Sequence, residues 1–561
     1  MPTLNWIGKD KVVSHHQDVP YRVLEHKYGF TADPSTGSGY EQTEPTNSGN
    51  KIILGDNLEA LKSLLPEYEG KIKCIYIDPP YNTGNENWVY NDNVNHPKIK
   101  KWLGEVVGKD GEDLSRHDKW LCMMYPRLKL LQKLLDDNGA IFISIDDNEQ
   151  ANLKMICDEI FGIRNFVGTY FWYKSGTPPN LSHKIKRNIE YVLCYTKTLN
   201  SNKFQGVQKT SKSDDPITKP QNSFKELKFK PKSLNIGLKD GVIKKGIYGT
   251  AKFPNELLND LIIKNGTNEN EVTFKNRFIW VQDKLDEELE NNTLVKINSK
   301  SLVISYKKQN YAKEVPPNFI DSSVGVDTTE NAGRMLHEIF GKKVFDFPKT
   351  PSLIEYIINF LCNENDIILD SFAGSGTTAH AVLNLNKQDG GNRKFILVEM
   401  EDYANDITAE RVKRVAKGYG EGKKAVEGTG GAFDFYELGL PLFDENQNLN
   451  EKVGLAKIRE YIWFSETRLG ISDLGFRIDD SSNQKSQIIN HKYELGKKDG
   501  TVYYFIYEKD KLTTLDFDAL ELIKTKGEQY VIYADNCLLP KEFMAKKNII
   551  FKKIPRDITR F

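Results

Sequence analysis

The segment Cys74-Ile75-Tyr76-Ile77-Asp78-Pro79-Pro80-Tyr81-Asn82-Thr83-Gly84 decides how this chain is read. Its strand, Ile72 to Ile77, has apolar character on both alternating faces, as a strand buried inside a parallel sheet does. An acid follows at once. In a doubly wound sheet the carboxyl ends of the strands form the ligand crevice, so Asp78, Pro79, Pro80 and Tyr81 stand where chemistry takes place. The residue types suit an exocyclic amine. A carboxylate and a neighbouring backbone carbonyl accept from both hydrogens of an NH2 group. Two prolines fix φ and remove competing donors, which presents that carbonyl rigidly. The Tyr ring offers a face on which an extruded base stacks. A Pro-rich turn closing a strand is the plainer alternative.

Outward from this segment, strands and helices alternate. Upstream, the strand Lys51 to Leu54 leads through Gly55-Asp56 into a helix with Leu58, Leu61, Leu64 and Leu65 on one face. Downstream, a helical segment around Trp120 to Leu135 is expected to break or bend at Pro126. Gly139 then precedes the buried strand Ala140 to Ile145. Thr198 to Phe345 is irregular and rich in Lys and Asn. The rhythm resumes with helix Leu353–Leu361, strand Asp366–Leu369, a glycine loop, helix Thr377–Leu385 and strand Phe395–Val398. This spacing predicts an α/β fold with a doubly wound, Rossmann-like parallel sheet. The expected divisions are 1–50 (an extension ending in a linker, Ser35 to Asn50), 51–197, 198–345, 346–417, and a mixed α/β C-terminal domain, 432–561. The last follows the Gly-rich stretch Gly418 to Gly431.

The second motif is Asp370-Ser371-Phe372-Ala373-Gly374-Ser375-Gly376-Thr377-Thr378. Gly374 and Gly376 permit a tight turn and close backbone approach to a ligand, with a helix amino terminus behind them. No Lys follows the glycines, so this is not a phosphate-cradling Walker loop. The next strand ends in Glu399, placed to take ribose hydroxyls, and from this segment alone a nicotinamide dinucleotide stays open.

Composition bounds the rest. Lys and Arg total 78 and Asp and Glu total 78, so net charge does not announce a nucleic-acid partner. Lys197 to Lys245, however, holds twelve lysines against Asp214, Asp215, Glu226 and Asp240. Taken alone that run reads as a solvated face. Six dispersed cysteines without a Cys-x-x-Cys pair disfavour a disulfide framework and a zinc site and fit a reducing cytosol. No apolar run is long enough for a membrane span, and no metal site is expected.

Together the two motifs resemble the amino-methyltransferases of DNA, which pair an Asp-Pro-Pro-Tyr loop with a Phe-x-Gly-x-Gly loop. The catalytic loop comes first here, a permuted order similar to the β group. Asp78 to Asn85, Tyr90-Asn91-Asp92, Trp120 to Leu131, Ser144 to Glu149, Phe347-Pro348-Lys349 and Ile396 to Glu399 look like the modification subunits of type III restriction–modification systems. The resemblance implies adenine N6 as acceptor, S-adenosyl-L-methionine as cofactor, duplex DNA as substrate and base flipping as the route. It implies that 51–197 and 346–417 are the catalytic and cofactor halves and that 198–345 recognises the target. Asp78 and the Pro79 carbonyl would hold the amine, and Tyr81 would stack on the base. Phe372, Gly374 and Gly376 would cradle the cofactor beside Asp370, with Thr377 and Thr378 near its methionine end. Glu399 would bind ribose and Asp56 the adenine of the cofactor, although Asp56 also reads as a helix N-cap. Lys349 and Ser352 are weaker cofactor-side candidates, and Glu190-Tyr191 could line the base pocket. Lys225, Lys228, Lys230, Lys232 and Lys239 would meet phosphates. A homodimer in a bacterial cytoplasm is implied, with any ATP-driven nuclease (the restriction subunit) on another chain. Cytosine N4 or RNA as acceptor, a solitary methyltransferase, and a non-enzymatic DNA-recognition subunit are the competing readings.

Overall fold

A computed structural model describes residues 3–33, 36–83, 116–176, 184–199, 203–206, 214–308, 314–470 and 493–560. Gly84, Asn85 and Tyr90-Asn91-Asp92 lie outside the described residues, as do Lys209 and Lys212 of the lysine run. The chain divides into two units: Met1–Phe204 with Pro317–Phe561, and Gln205–Pro316.

The larger unit is built on one eleven-stranded sheet. Its strands, in chain order, are β1 (Arg22–Asp33), β2 (Ser38–Gln42), β3 (Lys51–Leu54), β4 (Ile72–Ile77), β5 (Leu135–Ile145), β6 (Phe166–Tyr173), β7 (Ile189–Thr196), β8 (Phe319–Ile320), β9 (Ile367–Asp370), β10 (Lys394–Glu399) and β11 (Gly431–Pro441). The spatial order is β8-β6-β7-β5-β4-β9-β10-β3-β11-β1-β2. From β5 to β11 every neighbouring pair is parallel. The doubly wound α/β class read from the sequence is what forms.

The alternation of side chains explains the two layers. Ile75 and Ile77 of β4 join Ile141 and Ile143 of β5 in a core with Leu61 and Leu65 of helix Asn57–Tyr68 and Trp120 and Leu128 of helix Arg116–Leu134. Cys74 and Tyr76 face the other way, into a core with Leu353 and Ile357 of helix Pro351–Leu361 and Ala379 and Val382 of helix Thr377–Asp389. Truncating one of these Leu or Ile side chains to Ala would cost about 2–5 kcal/mol.

Several boundaries differ from expectation. Pro126 interrupts nothing: the helix runs through Arg116–Leu134, because its buried neighbours hold it where one backbone bond is lost. It passes straight into β5 at Leu135, which pairs with Ile72, and a bulge absorbs the residues before Ala140. The segment read as a linker contains β2, an edge strand on β1; an edge strand's polar, exposed side resembles a linker in composition. The boundary expected at 432 falls inside β11, which lies between β3 and β1. The inserted unit is narrower than 198–345, since Ile320, Val326 and Ile339 belong to the core of the larger unit.

Within Gln205–Pro316 the irregular pattern resolves into a seven-stranded and a four-stranded sheet. They surround a core that includes Leu227, Phe229, Ile236, Phe274 and Trp280. Its strands are two to five residues long, too short for alternation to show in the sequence. Residues 493–560 carry a four-stranded sheet, Glu494–Lys498, Thr501–Phe505, Gln529–Ala534 and Ile549–Lys553.

Candidate active site

Parallel pairing of Ile368 with Cys74 and Leu369 with Ile75 sets the ends of β4 and β9 side by side. The loop after β4 carries Asp78 to Tyr81, and the loop after β9 carries the glycines. Asp78 is surrounded by polar groups. The Lys349 ammonium lies 2.7 Å from its Oδ2, and the Tyr81 hydroxyl lies 2.8 Å from its Oδ1. Glu190, buried on β7, shares both of these donors. Its Oε2 is 3.1 Å from the Tyr81 hydroxyl and 3.4 Å from the Lys349 ammonium, while Lys174 donates to its Oε1 at 2.8 Å. Trp120 donates its indole N–H to the Pro80 carbonyl at 2.6 Å, which fixes the proline turn against the helix beneath.

Charge in this cluster follows from burial and neighbours. Burial pushes the Asp78 carboxyl above its ordinary value, opposed by the Lys349 ammonium. Burial would also raise Glu190, but Lys349 and Lys174 outweigh it and hold that carboxyl below its ordinary value. The Tyr81 ring, expected as a stacking face, has the Lys349 ammonium over it at 5.0 Å from the ring centre. Lys349 therefore stands at the catalytic loop as well as beside the cofactor loop, whose Thr377 hydroxyl donates to its backbone carbonyl at 3.2 Å.

The glycine loop is tied down from within. Asp370 accepts from the Phe372 N–H at 3.0 Å and the Thr378 hydroxyl at 2.5 Å, and burial pushes its carboxyl up to about 7. These bonds close the turn onto the first residues of helix Thr377–Asp389. Gly374 and Gly376 have φ of 51° and 81°, the left-handed region that glycine enters freely. At Gly376 a Cβ would come within 2.9 Å of the Thr408 carbonyl oxygen. Glu399 ends β10 beneath the loop, with Oε2 accepting from the Gly374 N–H at 2.7 Å and Oε1 from Met400 and Glu401 N–H groups at 2.9 and 3.0 Å. Burial pushes this carboxyl up to about 8.

Asp56 is an N-cap in its geometry. Its Oδ1 accepts from Leu58 and Glu59 N–H groups as an N-cap, and its Oδ2 lies 3.3 Å from Arg127 Nη2. Its strand is joined to β10 by the Gly55 N–H, which donates to the Glu399 carbonyl at 2.9 Å. Ser352 accepts from the Asp327 N–H at 2.9 Å. Tyr191 donates to Asp147 at 2.6 Å, so the two members of the Glu190-Tyr191 pair separate, as neighbours on a strand do.

Sequence reading missed three supports. Arg411, fully buried, donates to the Ser375 and Thr377 hydroxyls at 2.8 Å each and holds the glycine loop from below. Asn57 donates to the Ser371 carbonyl at 3.2 Å, and Arg127 in turn donates to Asn57. Nothing local in the sequence marks these residues; their partners are remote in the chain.

The residues present fit a polar nucleoside-type cofactor. Ser371 Oγ is buried without a hydrogen-bond partner among the described residues. With it stand the buried acid at 399 and the part-exposed acid at 56 on the adjacent strand end. Among the described residues no group of three or more His, Cys, Asp or Glu side chains is placed to hold a metal ion, and no helix is long and apolar enough to cross a membrane.

A sheet with an acid–proline–proline–tyrosine turn beside a glycine loop and a buried strand-end acid has the architecture of a cofactor-dependent group-transfer enzyme. Residues 72–410 match the DNA methylase family, and this chain belongs to it. It is 33% identical to the Mod subunit of the type III restriction–modification enzyme StyLTI of Salmonella typhimurium, over 66% of this chain and 58% of that protein. It is 32% identical to the EcoP15I Mod subunit of Escherichia coli, over 74% of this chain and 69% of that protein. The type II methyltransferase M.KpnI of Klebsiella pneumoniae is 31% identical, over 63% of this chain and 81% of that protein. The chain thus matches less than two thirds of the length of the StyLTI subunit.

Proposed function

We propose that this chain transfers a methyl group from S-adenosyl-L-methionine to the N6 amine of adenine in duplex DNA, as the modification subunit of a type III restriction–modification system. The observation that carries this reading is the pairing of β4 with β9, which brings Asp78 and the Gly374–Gly376 loop to one crevice. Asp370, Phe372, Gly374, Gly376, Thr377 and Thr378 form the cofactor's bed, with Glu399 for its ribose and Asp56 for its adenine ring. Bound there, the cofactor supplies an electrophilic sulfonium methyl.

The chain's own residues orient the acceptor. Asp78 accepts one amine hydrogen and the Pro79 carbonyl the other, which turns the nitrogen lone pair away from both. Asp78 also receives the proton that the methylated amine sheds. Positioning and charge stabilisation account for the rate, with no covalent enzyme intermediate. Inside a duplex the amine is engaged in base pairing, so the adenine must leave the stack, and Tyr81 then lies against it. An Asp at position 78 favours adenine over cytosine N4.

In the inserted unit, Lys228, Lys230, Lys232 and Lys239 are exposed and Lys225 is half-buried. Lys230 is shared with Asp286 at 3.5 Å. The hairpin Gly246–Thr250/Phe253–Leu257 adds Lys244, Lys245 and Lys252 around the exposed Ile247 and Phe253. We assign these basic residues to the phosphate backbone. A homodimer in the cytoplasm, served by a restriction subunit on a separate chain, completes the reading. Similarity to M.KpnI over most of that protein favours one second reading, a solitary methyltransferase.

The decisive experiment incubates the full chain with methyl-labelled cofactor and duplex DNA, then identifies the modified base. Label in N6-methyladenine is the expected result. Label in cytosine or RNA changes the acceptor, and no label with binding intact leaves a recognition subunit.

A further inference from the structure

We propose that Glu190 is a positioning residue, a relief acceptor that takes Lys349 and Tyr81 from Asp78 when the target amine enters. The inference rests on the methyltransferase reading above and concerns how the site empties for its substrate.

The geometry is that of two acceptors sharing two donors. Lys349 lies 2.7 Å from Asp78 Oδ2 and 3.4 Å from Glu190 Oε2. The Tyr81 hydroxyl lies 2.8 Å from Asp78 Oδ1 and 3.1 Å from the same Glu190 Oε2. That hydroxyl has one hydrogen, so it satisfies one carboxylate at a time. In this arrangement both Asp78 oxygens are engaged, and the ammonium covers the Tyr81 ring where a base would lie. An incoming adenine needs an Asp78 oxygen and the ring face together. A short movement toward Glu190 frees both while each donor keeps an acceptor, and the ammonium, already 3.4 Å from Glu190 Oε2, stays within the same cluster as Asp78.

The surroundings set the direction. Besides Tyr81 on its own loop, Asp78 is faced by Tyr76 on β4, Asp370 at the end of β9, Glu190 from β7 and Lys349 ahead of helix Pro351–Leu361. Lys174 stands behind Glu190 on its other oxygen. Glu190 is therefore held as an anion between two lysines, ready to receive a second donor on Oε2. Asp78 takes its counter-charge from Lys349, and the neutral amine replaces that lysine only as a hydrogen-bond donor.

The test is a double-mutant cycle on the full chain with duplex substrate. Glu190→Gln weakens the receiving site, so Lys349 stays on Asp78 and competes with the amine. The turnover rate should fall by at least about tenfold with cofactor affinity unchanged, and Lys349→Met in that background should recover most of the loss. The acid limb of the rate–pH profile should move up in Lys349→Met, which removes the opposing cation, and down in Glu190→Gln, which removes a like charge. A purely structural lesion would move neither limb. Lys349→Arg, whose planar fork grips a carboxylate more firmly, should slow turnover without unfolding the chain, as thermal midpoints will show. Turnover by Glu190→Gln at the wild-type rate, or losses that simply multiply in the double variant, would overturn the proposal. Absence of methyl transfer by the unmodified chain would instead overturn the methyltransferase reading itself.

Discussion

Leu369 and Ile75 are partners in one parallel ladder, although the helices and the inserted unit separate them in the chain. Each ends a few residues before a loop, so Asp78 and the glycines open on the same crevice. Asp78→Ala should lower methyl transfer by at least about 100-fold, the scale for losing a group that stabilises developing charge. DNA and cofactor binding should persist, as measured by titration. Retained turnover would remove Asp78 from its role.

Glu399 makes a pH prediction with a definite sign. Its folded carboxyl titrates near about 8 against an ordinary value of 4.5, so the folded protein holds a proton that the unfolded chain releases. Stability from this group is therefore present below pH 4.5 and declines as pH rises toward 8. Urea midpoints should fall less between pH 5 and pH 8 for Glu399→Gln than for the parent, those pH values being roughly the ends of the window. If Glu399 also accepts from the cofactor's ribose hydroxyls, cofactor affinity should drop by about tenfold in the same variant.

Gly376 is conformationally required. With φ of 81° and the Thr408 carbonyl 2.9 Å from any added Cβ, Gly376→Ala meets both backbone strain and backbone atoms that cannot step aside. A loss of about 1–3 kcal/mol is expected. Calorimetric unfolding should show it, accompanied by loss of cofactor binding. An unchanged midpoint would mean that the loop opens at no cost.

Asp56 separates a cap from a ligand contact. Asn caps a helix about as well as Asp but leaves the buried Arg127 without its carboxylate, so Asp56→Asn should lose stability through the ion pair alone and Asp56→Ala about 1 kcal/mol more through the cap. If Asp56 also holds the cofactor's adenine, both variants should bind cofactor more weakly by isothermal titration. Full affinity in Asp56→Asn would leave the cap as its whole role.

The lysines of the inserted unit divide into two groups to compare. Replacing Lys244, Lys245 and Lys252 with Gln should reduce the slope of log affinity against log salt by about one for each phosphate no longer neutralised. Replacing Lys225, Lys228 and Lys239 in a second variant asks whether the strand Lys225–Phe229 and its neighbours do the same. An unchanged slope in both would return the lysine run to a solvated face.

How much the sequence disclosed depended on whether a signal was local. The strand Ile72 to Ile77 was legible because a strand buried on both faces must be apolar throughout, and Asp78 to Tyr81 because proline restricts the backbone residue by residue. The strand β2 was missed, since an edge exposed to water needs no apolar pattern. The interruption expected at Pro126 does not occur, because helix propensity counts one lost bond and not the packing around it. Arg411 and Asn57 carried no mark, because their partners lie in a distant loop.

By itself, the sequence determined the alternation of strands and helices, the two loops, and the residue types that suit an amine acceptor and a nucleoside cofactor. Only the tertiary structure decided that Lys349 and Glu190 gather on Asp78, that Glu399 is a buried acid beneath the loop, and that β11 closes into the central sheet. The physical reason is that periodicity and turn chemistry act over a few residues. Which charges share a desolvated space is fixed by the strand order of the folded sheet.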